Sequence, residues 1–168
     1  MNIIILALTI ILNIIIESTI IPYIPILGYV PNLALIIITV VALLKGKYYG
    51  AFFGLILGLL EDILFGKVVG VNALLYFLLG YTNGLVSNAL NMDNLAIPVI
   101  ATSFSTISYN LFYALMIFFL SMNINSSTVL KNVFSLEILY NGLLSIFLYK
   151  MFSGFLGNPS LRFRRRQR

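Results

Sequence analysis

Residues 50 to 66 read GAFFGLILGLLEDILFG. Glycines stand at 50, 54 and 58, and Asp62 continues the same four-residue step. On a helix that step keeps positions on one face. The stretch therefore predicts a helix with a groove free of side chains that ends in a carboxylate. Glu61 and Asp62 lie side by side between Leu60 and Ile63. Two acids in so apolar a run are costly unless something holds them, so the pair marks either a structural turn or a site.

The rest of the chain has the same character. Of its 168 residues 61% are hydrophobic and 9% charged, and the mean hydropathy is +1.06. Soluble domains carry about 45–50% apolar and about 25% charged residues, so the composition predicts an integral membrane protein. A spanning helix needs about 20 residues, which leaves room for six helices, short loops and no soluble domain. The absence of cysteine and histidine removes thiol chemistry, disulfides and the commonest zinc ligands.

The apolar stretches predict spans at about 2–20, 32–45, 48–65, 69–88, 95–120 and 130–155, in one all-α transmembrane domain with a basic tail at 157–168. The first has no basic leader and no small-x-small cleavage site, and reads as a retained helix. Pro22, Pro25 and Pro31 break the chain before the second span, leaving 21–31 interfacial or re-entrant. With six spans both termini share a side. That side gathers Lys45, Lys47, Arg162, Arg164, Arg165, Arg166 and Arg168, against Lys67 and Lys131 opposite. The positive-inside rule then places both termini in the cytoplasm. The arginine tail is a topology anchor on anionic lipid, and nucleic-acid binding is not expected of it.

Gly50, Gly54 and Gly58, with the second pair Gly80 and Gly84, suit close helix packing. Packing within the bundle and reception of a partner's helix are both open. Glu61 and Asp62 fall near the outer end of the third span, where Asp62 is expected to staple the turn and Lys67 is a possible counter-charge. Glu17 and Glu137 are further intramembrane acids, but three scattered acidic sites without histidine make a poor proton relay. Amides and hydroxyls of the fourth and fifth spans, from Asn72 and Tyr76 to Tyr109 and Asn110, are expected to be interhelical glue. There is no phosphate loop, nucleophile with a basic partner or metal cluster, so neither an enzyme nor a cofactor is expected.

Residues 50 to 84 resemble the MreD family of bacterial rod-shape proteins. The resemblance is carried by Gly54, Gly58, Asp62, Gly66, Gly70, Asn72, Ala73, Leu74, Gly80, Tyr81 and Gly84. Pro31 before the second span and Lys45 and Lys47 after it also fit. Asn32 departs from the pattern, which often has an acid there. The resemblance implies a non-enzymatic adaptor of the elongation machinery that builds lateral peptidoglycan. Its implied partners are MreC, the RodA polymerase and a penicillin-binding transpeptidase, with MreB reached indirectly. It also implies a six-helix fold similar to the substrate-binding subunits of energy-coupling-factor transporters, and the glycine groove would then receive the helix of MreC. The alternative is a vitamin-uptake subunit of that transporter type, with Tyr23, Tyr29, Asn72 and Tyr76 lining an outward pocket.

Overall fold

A computed structural model describes residues 3–20, 23, 30–66, 68–87, 94–120 and 136–156. Lys67, Lys131, Arg162, Arg164, Arg165, Arg166, Arg168 and Tyr29, together with most of the 21–31 segment, lie outside the described residues. The described residues form six helices: α1 Ile3–Thr19, α2 Leu33–Lys45, α3 Lys47–Leu64, α4 Val71–Val86, α5 Ala96–Phe119 and α6 Glu137–Leu156.

The core is built around α2. Every residue from Ala34 to Leu44 is buried, and α3, α4, α5 and α6 pack around this helix while α1 touches it along one side. Asn32 starts α2, its side-chain oxygen accepting the Leu35 N–H at 2.8 Å. The helix stops at Gly46, whose φ of 87° is open to glycine and strained for other residues. That single residue reverses the chain into α3. At 13 residues α2 is about 20 Å long, short against a bilayer core of about 30 Å. Its neighbours shield both its flanks and its length from lipid.

Cross-helix contacts show that each helix runs antiparallel to the next. Glu17 at the end of α1 meets Ala34 at the start of α2, Asp62 meets the head of α4, Tyr109 meets Asn72, and Asn110 meets Glu137. All of these lie at one end of the bundle, the acidic end. Lys45 and Lys47 mark the opposite, lysine end.

The surface is apolar where that of a soluble protein would be polar. Phe104, Phe118, Phe147 and Phe155 are exposed, while Asn13, Thr39, Thr102, Thr106, Asn141 and Ser145 are buried. Exposed apolar surface on this scale marks a face made for lipid or partners. Taken singly, only α5 and α6 are long and apolar enough to cross a membrane among the described residues.

Candidate functional site

The glycine face of α3 is filled by the chain itself. A Cβ on Gly50 would come within 2.6 Å of the Gly80 carbonyl oxygen, and one on Gly58 within 2.6 Å of the Ala73 Cα. Gly54 lies against the Tyr76 carbonyl, Gly80 against the Gly50 carbonyl, and Gly84 against Lys47 backbone. The two backbones are thus in contact along almost the whole of α3 and α4. The expectation that this groove receives a foreign helix is corrected: a helix cannot enter a face already occupied by backbone. The signal that names the occupant was in the sequence. Antiparallel pairing across the short turn sets 50 against 80 and 54 against 76, which brings Gly50 onto Gly80 and the rest of the α3 row onto α4 backbone.

At the end of the groove the two acids have different fates. Asp62 is 1% exposed and accepts three backbone N–H groups: Gly70 at 2.9 Å, Ala73 at 3.0 Å and Asn72 at 3.1 Å. These are unpaired donors at the head of α4, and the helix dipole there favours an anion. Asp62 therefore fastens the α3–α4 turn, with Gly70 at φ 106° completing it. Glu17 is held in a similar way by the head of α2, where its Oε1 accepts the Ala34 N–H at 3.3 Å.

Glu61 has no helix head of its own. It is 7% exposed, and its carboxyl lies within hydrogen-bond reach of the Glu17 carboxyl and the Tyr76 hydroxyl. Its Oε1 has no hydrogen-bond partner. One turn before Glu17, Asn13 is 1% exposed and sets its amide beside the Glu17 carboxyl, yet neither amide atom makes a hydrogen bond of good geometry.

A connected polar cluster continues from this pair across the acidic end. Asn32 Nδ2 donates to the Tyr76 oxygen at 3.1 Å, and the Asn32 backbone N–H donates to Asn141 Oδ1 at 3.1 Å. Asn141 Nδ2 reaches Thr106 Oγ1 at 3.1 Å and Glu137 Oε1 at 3.3 Å, and Asn110 Nδ2 reaches Glu137 Oε2 at 3.3 Å. Tyr109 donates to Asn72 Oδ1 at 2.7 Å, and its ring stacks on Tyr113 and lies tilted against Tyr76. All six helices contribute. The shortness of α2 makes room for this layer, because its head ends inside the bundle.

Sequence reading found most of these residues singly. It missed Asn13, Asn32 and Asn141 as members of the site, and it missed the meeting of Glu17 with Glu61. The expected interhelical role of the amides and hydroxyls is visible in Tyr109 with Asn72, and again in Asn83, whose Nδ2 donates to Ser105 Oγ at 2.7 Å. Lys45 and Lys47 stand apart from the cluster, and Lys47 lies over the Tyr48 and Tyr81 rings.

The vitamin-pocket alternative gains no support. Tyr76 and Asn72 are engaged with Asn32 and Tyr109, and Tyr23 is exposed. No group of three acidic, histidine or cysteine side chains is arranged for a metal ion among the described residues. No curated protein and no solved structure matches the chain, so the likeness to energy-coupling-factor subunits is also without support. The family comparison reaches much further than the 50–84 block: the model described as rod shape-determining protein MreD matches residues 1–157. With a lipid-type exterior, a polar interior and a family match over nearly its whole length, the chain belongs to the MreD family of rod shape-determining proteins.

Proposed function

We propose that the protein is a non-enzymatic membrane adaptor of the bacterial elongation machinery, coupling MreC, and through it MreB, to the RodA polymerase and its penicillin-binding transpeptidase. The family match over residues 1–157 carries this reading. The structure is in keeping with it, because the polar groups of the interior serve chiefly to lock helices together. In this reading all six helices lie in the membrane and both termini are cytoplasmic.

The partner helix must then dock on a face other than the glycine row. The exposed faces of α1, α3, α5 and α6 present Leu12, Phe52, Phe104 and Leu143. Because the chain has no cysteine, one cysteine at each of these positions gives an unambiguous probe. Photocrosslinking from these four sites in rod-shaped cells should capture MreC from one face and spare the others. Cells lacking the protein should round up, and the wild-type gene should restore the rod. A rod that persists without the protein, with no MreC captured from any face, would refute the adaptor role.

A further inference from the structure

We propose that the seam between α1 and α3 binds one monovalent cation, a sodium ion or a proton, between Glu61 and Glu17, with Asn13 beside it. Of the acids at this end, Asp62 is satisfied by three N–H groups at the head of α4. Glu17 takes one at the head of α2, and Glu137 takes the amides of Asn110 and Asn141. Glu61 alone faces another carboxyl with a bare oxygen. Two carboxylates in contact repel unless a positive charge stands between them. The described lysines cannot supply it, since Lys45 and Lys47 lie at the far end of the bundle and Lys150 lies 13 residues along α6 from Glu137.

The second observation is independent of charge. Asn13 is buried and both of its amide atoms are unpartnered. A buried unpaired amide is rare and costs about 1–3 kcal/mol, so its presence here points to a missing occupant. Asn13 Oδ1 and Glu61 Oε1 are both free to coordinate a hard cation through oxygen. A hydrated ion would also offer an acceptor to Asn13 Nδ2. The seam closes α1 onto the rest of the bundle, so the ion would act as a clasp for that helix. This goes beyond the adaptor reading and does not depend on it.

The test uses the purified full-length protein in detergent and two readouts. Thermal unfolding is followed in sodium chloride and in choline chloride at equal ionic strength. Infrared difference spectra are searched for the C=O stretch of a protonated carboxyl. A sodium occupant raises the wild-type midpoint by several degrees over choline, and Glu61→Gln removes the difference. A proton occupant leaves the midpoint indifferent to sodium and gives a protonated-carboxyl band that Glu61→Gln abolishes and Asp62→Asn does not. Wild-type protein with neither signal overturns the proposal. The wild-type measurements decide the matter even if a variant fails to fold.

Discussion

At Asp62 a single side chain satisfies three backbone donors that begin α4. Asp62→Ala would leave all three without that acceptor, the Ala73 N–H in a buried setting and the other two in a part-buried one. We expect a loss of about 2–4 kcal/mol in folding stability, since hydrogen bonds to a charged acceptor are worth about 1.5–3 kcal/mol each and some would be remade with water. Chemical or thermal denaturation in detergent micelles checks this. Asp62→Asn keeps one acceptor oxygen and should fall between alanine and wild type. Tyr76→Phe removes the hydroxyl that meets Asn32 while keeping the ring against Tyr109. Its expected cost is smaller, about 0.6–1.5 kcal/mol, and equal losses for Tyr76→Phe and Asp62→Ala would contradict this ranking. Asp62 was readable as a turn residue because its partners lie 8 to 11 positions away. Glu61 was not, because its partner Glu17 comes from another helix 44 residues earlier, and spacing within one helix carries no information on such a meeting.

Between elements, the α3–α4 contact has no slack. Gly54→Leu would drive a branched side chain into the Tyr76 backbone, and backbone cannot swing aside as a side chain can. Overpacking typically costs about 1–3 kcal/mol or more, so Gly54→Leu and Gly58→Leu should lower the yield of folded protein and speed its proteolysis in membranes. Phe104→Leu, on an exposed face of α5, should leave both unchanged. A Gly54→Leu protein of normal stability that had lost only its partner would restore the foreign-helix reading. The close contact also forbids sliding: a shift of one residue would set a side chain where a glycine stands. Four-residue glycine spacing announced the existence of this face. It could not announce the occupant, because small residues admit any backbone, and only the small residues that face it in α4, Gly80 and Ala73, distinguish self from stranger.

For the molecule as a whole, orientation has two supports at one end of the bundle by sequence: Lys45 with Lys47, and the five arginines 162, 164, 165, 166 and 168. In the proposed topology, neutralising the arginines alone should still give a cytoplasmic C-terminus, as read by a fluorescent-protein fusion that matures only in the cytoplasm. Neutralising Lys45 and Lys47 as well should give mixed orientations. Six helices and their order were legible from hydropathy and proline alone, since lipid imposes a length and backbone hydrogen bonding imposes helix. The central place of α2 was not, because an all-apolar stretch looks the same whether lipid or protein surrounds it. That central place bears on how the protein is made. A segment of 13 residues is too brief to be retained by the insertion machinery on its own merits, and in the finished molecule it meets almost no lipid. In the proposed six-span topology it would enter with α3 as a hairpin bent at Gly46 and wait, partly unclothed, until α4, α5 and α6 arrive. Truncation after α3 should thus yield a nascent chain that quality-control proteases destroy, whereas release after α6 should yield one they spare.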